Sequence, residues 1–179
     1  MSSTKRGTTK TPPEEAGTRV VANFCVEFLP GVESDYELLR AACNSEPKIS
    51  YADLQVEVLV YGLHCLDRVV FSHHGADYRN SFMDSALRAL EKVSFAAAAR
   101  GREGDWPLER LRSYYNERQR EYGAMVLLPE KGASPKGTLF WEYAKRICLN
   151  SNAAPPIMTY LLDQASTIFE MMDEIAQGL

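Results

Sequence analysis

The chain has 179 residues, 45% of them hydrophobic, and its 20 basic and 24 acidic residues give a formal net charge of −4. This length suits a single domain, and the composition favours a globular fold over a disordered chain. The sequence pI near 5.5 disfavours nucleic acid as a partner, because proteins that bind duplexes usually carry a basic face. No apolar run approaches the roughly 20 residues that a membrane-spanning helix needs. We therefore expect a soluble domain with no membrane partner.

The four cysteines are spread along the chain without a CxxC pair. Cys25 and Cys148 each stand between apolar neighbours, so we interpret the cysteines as buried thiols that act as small hydrophobic residues. Unpaired thiols are typical of a reducing compartment, and no apolar segment near residue 1 resembles a secretory signal. The sequence predicts a cytoplasmic protein.

Residues 1–17, MSSTKRGTTKTPPEEAG, are polar and rich in Thr, Lys and Pro. Such a segment offers almost nothing to bury, so burial cannot offset the entropy that ordering the chain would cost. We predict a disordered tail at 1–17 and a single helical domain at 18–179.

From residue 18 onward the apolar residues recur mostly at helical spacing. Residues 20–28 predict a helix, with a strand as the alternative because Phe24, Val26 and Phe28 also alternate. A second helix is predicted from a capping box at Ser34. Ser50 is the predicted N-cap of the longest helix, which runs over 51–73 and ends before Gly75.

Apolar stripes predict four more helices after Gly75. Proline, which suits the first turn of a helix, marks the predicted starts of the last three. Their start signals are Asp105-Trp106-Pro107, Ser134-Pro135 and Pro155-Pro156. The fold class is therefore all-α, a compact bundle of about seven helices with mostly antiparallel neighbours, since short connections favour antiparallel packing.

The common catalytic and cofactor motifs are missing from the sequence. It contains no phosphate-binding loop, dinucleotide fingerprint, nucleophile elbow or HExxH zinc motif. None of the three histidines completes an ExxH, so the sequence does not match a di-iron bundle. We assign no catalytic residue, expect no metal or cofactor, and lean towards a protein that is not an enzyme.

One stripe of polar residues runs along the predicted 51–73 helix. Its members are Asp53, Glu57, Tyr61, His64, Asp67 and Arg68. As a ligand-binding site, Glu57 or Asp67 would orient His64 while Arg68 bound an anion. As a solvated face, the same residues would be the wet side of a helix that is apolar elsewhere. We expect the solvated face, with no energetic coupling between Glu57 and His64.

Two later segments also suggest binding. Residues 110–122, RLRSYYNERQREY, interleave arginine and tyrosine as single-strand binders do, but an exposed helix face explains them equally well. The last predicted helix carries acidic residues and Met158, Met171 and Met172, which suit adaptable apolar contacts with a partner. The alternative, which we favour, is a terminal helix that completes the core.

The leading hypothesis is a non-enzymatic cytoplasmic protein-interaction module, which binds another protein or a second copy of itself. The alternative is a small-molecule-binding bundle or an enzyme with its polar site around Glu57, His64 and Arg68. Burial discriminates between the two, because a binding site on the stripe would be enclosed by polar groups from another helix, such as Glu142.

Overall fold

The computed structural model describes residues 11–43, 47–98, 108–127, 134–151 and 157–179. Within these ranges the protein is all-α and contains no strand, which confirms the predicted fold class. Seven α-helices are present there: α1 Pro13–Asn23, α2 Val32–Ala42, α3 Tyr51–His74, α4 Ala76–Ala98, α5 Leu108–Tyr122, α6 Leu139–Ser151 and α7 Ile157–Gln177. The antiparallel arrangement of neighbours stays a prediction.

Helix α3 is the centre of the bundle. It packs against α2, α4, α5, α6 and α7, and most of its residues are buried. Its start is fixed by Ser50, whose hydroxyl accepts a hydrogen bond from the Asp53 amide at 3.1 Å. Its end is fixed by Gly75, whose φ of 82° lies in the left-handed region that other residues avoid. Both predicted ends of this helix are confirmed.

Helix α1 begins at Pro13, inside the segment predicted to be a disordered tail. Ala16 and Gly17 are buried, and α1 packs along α4. A side chain at Gly17 would place its Cβ 2.3 Å from the carbonyl oxygen of Phe82, so only glycine permits this approach. The tail prediction is therefore wrong from Pro13 onward, because two small residues dock tightly there, and residues 1–10 lie outside the described part of the chain.

The chain after α1 stays helical, so the strand alternative for 20–28 is wrong. A π-helical turn, Phe24–Phe28, and a 3-10 turn, Leu29–Gly31, lead directly into α2. Because α2 already begins at Val32, Ser34 lies inside its first turn and does not cap it. The predicted capping box at Ser34 is wrong for that reason.

The predicted start of α6 at Ser134-Pro135 is also wrong. Gly137 has a φ of 81°, which a helix cannot contain, so α6 begins after it. Thr138 is the actual cap, since its hydroxyl accepts a hydrogen bond from the Trp141 amide at 3.2 Å. The start signals predicted at 105–107 and 155–156 lie outside the described residues.

One hydrophobic core joins all seven helices. The buried stripe of α7 packs against α3 and α6, and it consists of Leu161, Ala165, Ile168, Met172 and Ala176. Among the described helices, none combines the length and apolar character needed to cross a membrane.

Candidate functional site

Four of the six residues in the polar stripe of α3 are buried, namely Glu57, Tyr61, His64 and Asp67, and Asp53 and Arg68 are half-buried. Glu57 and His64 are each 3% exposed and Asp67 is 8% exposed, so the expectation of a solvated face is wrong. Helices α5 and α6 pack over this side of α3 and bring their own polar side chains with them. Burial at this level is rare for charged residues unless they are paired, so each contact of the stripe matters.

Glu57 meets polar groups from both neighbouring helices. The Tyr114 hydroxyl of α5 donates a hydrogen bond to its Oε1, while Oε2 is buried with no hydrogen-bond partner among the described residues. Burial raises the pKa of the Glu57 carboxyl, against the opposing influence of the Tyr114 hydrogen bond and the Arg146 and Arg118 charges. The carboxyl is thus held closer to its neutral form than an ordinary glutamate.

Two arginines share one carboxylate beside Glu57. Arg118 of α5 lies 2.6 Å from Glu121 Oε2, and Arg146 of α6 donates to the same oxygen. The Arg118 side chain is only 5% exposed, and its guanidinium sits 4.4 Å from the centre of the Tyr114 ring. The Nε atoms of both arginines are buried without a partner among the described residues.

His64 is enclosed by aromatic rings of α5. It stacks on Tyr115 with centroids 4.9 Å apart and meets the edge of Tyr122 at 5.1 Å. Burial, with the charges of Arg68 and Arg118, lowers the pKa of His64 to about 3, so the imidazole is neutral at physiological pH. His64 Nε2 and the Tyr122 hydroxyl are both buried and have no partner within the described ranges.

We call this group the polar cluster. It comprises Glu57 and His64 of α3, Tyr114, Arg118, Glu121 and Tyr122 of α5, and Arg146 of α6. The sequence pattern identified the two α3 residues and, as a separate binding segment, residues 110–122, but it did not bring the two together and gave no sign of Arg146. The partners on α5 can be recognised in the sequence by the spacing of Tyr114, Arg118 and Tyr122. These residues are four apart and so share one face of α5.

The remaining residues of the predicted stripe have other contacts. Arg68 donates to the carbonyl of Met125 at 2.7 Å and to that of Tyr122, and so holds the end of α5. Asp67 pairs with Arg79 of α4, with one oxygen 2.7 Å from a guanidinium nitrogen.

Tyr61 and Asp53 lie apart from the cluster contacts as well. The Tyr61 hydroxyl donates to the Ala165 carbonyl of α7 at 3.0 Å, while Asp53 is engaged with Ser50 at the start of α3. The structure therefore brings together only Glu57 and His64 from the predicted site, and it places Glu142 with Lys145 instead.

The three methionines of α7 differ in exposure. Met172 is buried in the core, so it is wrong as a partner-binding candidate and agrees with a terminal helix that completes the core. The reason is its position on the stripe of α7 that faces α3. Met158 and Met171 are half-buried against the same core.

A small cavity lies between α1, α3 and α7. Its volume is about 10 Å³, and it is lined only by apolar residues and a glycine, including Phe24, Gly62 and Met172. This space is close to the minimum for a single water molecule and offers no side-chain hydrogen-bonding group, so it does not compete with the polar cluster as a site.

Within the described ranges, no group of three or more His, Cys, Asp or Glu side chains is placed to hold a metal ion. No family model matches this chain. Comparisons with curated proteins and with solved structures likewise found no significant match. Function is therefore inferred from the chemistry of the polar cluster.

Proposed function

We propose that the protein binds a small polar molecule at the polar cluster, between α3, α5 and α6. One observation carries the proposal: five buried polar atoms of the cluster have no hydrogen-bond partner among the described residues. They are Glu57 Oε2, His64 Nε2, Arg118 Nε, Tyr122 Oη and Arg146 Nε. Leaving one such group unpaired costs about 1–3 kcal/mol, and folded proteins contain only a few of them.

The surroundings of these atoms also suit a binding site. Aromatic rings of Tyr114, Tyr115 and Tyr122 supply apolar area, and the unpartnered atoms supply a few polar groups within it. Small-molecule sites commonly combine an apolar lining with a small number of placed polar groups. The role proposed for the cluster is binding, and no residue is assigned to catalysis.

The test is a thermal-shift measurement on the full chain with four probes of different charge: benzoate, inorganic phosphate, benzylamine and benzamide. We expect at least one probe to raise the melting temperature of the wild type. Arg146→Gln removes a cluster guanidinium and should reduce that shift. Arg112→Gln is the matched control, because Arg112 is an exposed α5 arginine that pairs with Glu91 outside the cluster.

Two results would contradict the proposal. One is that none of the four probes changes the melting temperature. The other is an equal shift in Arg146→Gln and Arg112→Gln, because binding would then not involve the cluster.

The protein-interaction role stays a second prediction. It is supported by large apolar side chains that the fold leaves exposed, among them Phe71, Val126 and Leu149. Light scattering over a concentration series tests self-association. A monomer mass at all concentrations would remove the second copy as partner.

We also propose that the protein works in the cytoplasm. Cys65 is fully buried and burial raises its thiol pKa to about 12, while burial raises that of Cys25 to about 11. Thiols of this kind behave as small hydrophobic residues, as expected in a reducing compartment. Imaging of a tagged chain in the source cells tests this.

A further inference from the structure

The charges of the polar cluster narrow the class of molecule that it can bind. Arg118 and Arg146 contribute two positive charges, since arginine does not lose its proton in proteins. Glu121, which pairs with both, contributes one negative charge. Glu117 also lies 3.6 Å from Arg118, but its side chain is 60% exposed, so water screens its charge and it is not counted with the buried cluster. The protonation state of Glu57 therefore decides whether the cluster is neutral or carries one positive charge.

The unpartnered atoms of the cluster are mostly donors. The two arginine Nε atoms can only donate, and the Tyr122 hydroxyl has a proton to donate. A protonated Glu57 would add a further O–H donor. A group of donors with one net positive charge matches an oxygen anion, because charge-assisted hydrogen bonds to guanidinium are among the strongest.

We propose that the cluster binds a small oxyanion, a carboxylate or a phosphate monoanion, together with one proton that Glu57 carries. This inference rests on the proposed function. The proton comes from solvent and stays on the Glu57 carboxyl, and no covalent bond to the anion forms. A cationic ligand is disfavoured because it would approach two guanidinium groups.

Among the titratable groups of the cluster, Glu57 is the one that we expect to take up the proton, because the groups that face it do not change their charge near neutral pH. Helix α5 contributes Tyr114, Arg118, Glu121 and Tyr122, helix α6 contributes Tyr143 and Arg146, and α3 itself contributes His64. Burial raises the pKa of all three tyrosines, so they stay protonated near neutral pH. His64 stays neutral because burial lowers its pKa. Of the two carboxylates, Glu57 is the buried one, and Glu121 is neutralised by both arginines.

The experiment is isothermal titration calorimetry of the full chain with benzoate, which stays a monoanion across the range used. Titrations are made at about pH 5.5 and about pH 7.5, both above the ordinary pKa of a glutamate, and buffers of different ionisation enthalpy count the protons taken up. We expect uptake of about one proton at the higher pH, and binding at least about tenfold tighter at the lower pH.

Glu57→Gln separates proton uptake from structure, because glutamine is neutral at every pH. We expect this variant to bind benzoate with the same affinity at both pH values and without proton uptake. Glu174→Gln is the control, since Glu174 is an exposed carboxylate of α7 outside the cluster, and it should keep the wild-type pH dependence. If Glu57→Gln does not fold, Arg146→Gln, which changes a side chain that is 26% exposed, should still lose benzoate binding.

Inorganic phosphate is titrated in parallel to distinguish the two sources of oxyanion. Binding of benzoate alone supports a carboxylate, and binding of phosphate alone supports a phosphate. Binding without proton uptake, or binding of benzylamine or benzamide alone, would overturn this inference and leave the proposed function standing. If none of the four probes binds, both this inference and the proposed function are overturned.

Discussion

The contact between Glu57 and Tyr114 joins α3 to α5, and a double-mutant cycle measures its energy. Tyr114→Phe removes the hydroxyl that donates a hydrogen bond to Glu57 Oε1, and Glu57→Gln removes the charge of the carboxylate that accepts this bond. Glu57 is 3% exposed and its other oxygen already has no partner among the described residues, so Tyr114→Phe leaves the carboxyl without the donor at Oε1. A hydrogen bond to a charged group contributes about 1.5–3 kcal/mol, and we expect a coupling energy of about 1–2 kcal/mol.

The assay is urea unfolding of the wild type, both single variants and the double variant, with the free energy of unfolding extrapolated to water. The control pair is Glu57 and His64, which are seven residues apart on α3 and have separate contacts with α5. We expect their coupling to stay below about 0.5 kcal/mol. A Glu57–Tyr114 coupling below about 0.5 kcal/mol would refute the contact on which the polar cluster depends.

Three further predictions concern stability. The pKa of His64 falls from 6.5 to about 3 on folding. As the pH is lowered, the unfolded chain therefore takes up a proton at His64 at a higher pH than the folded chain does. Stability from His64 is therefore complete above about pH 6.5 and is lost as pH falls towards 3, so His64→Gln should flatten this dependence in unfolding curves at several pH values. Leu59→Ala and Leu66→Ala should each lower the free energy of unfolding by roughly 2–5 kcal/mol, and changes within about 0.5 kcal/mol would contradict the orientation of α3. Deletion of residues 1–10 should leave the melting temperature unchanged, whereas deletion of 1–17 should lower it by several degrees because it removes the first turn of α1; equal melting temperatures would contradict that packing.

The helix that carries the site was predictable because its ends depend on local chemistry. Ser50 and Gly75 fix the two ends of α3 through a side-chain cap and a positive φ, and both signals can be read from the sequence. The start of α2 was not predictable in this way, because Ser34 carries an equally good capping signal. Val32 is buried, and its packing extends the helix past that signal.

The candidate site was only half predictable. The spacing of Glu57 and His64 identifies one face of α3, but the same pattern occurs on solvated helices. What buries this face is α5, whose Tyr114 and Arg118 lie more than fifty residues further along the chain. Periodicity within one helix contains no information about which other helix packs against it. The burial of Glu57 and His64 could therefore be seen only in the structure.

Amide NMR shifts can locate a small molecule that binds between α3, α5 and α6. Benzoate is titrated into the labelled full chain at about pH 5.5, where we expect its binding to be tighter. If the molecule binds at the polar cluster, we expect saturable shifts centred on Glu57 and His64, on Tyr114 to Tyr122, and on Arg146. Shifts centred on the apolar cavity beside Gly62, or scattered over exposed residues without saturation, would contradict binding at the polar cluster.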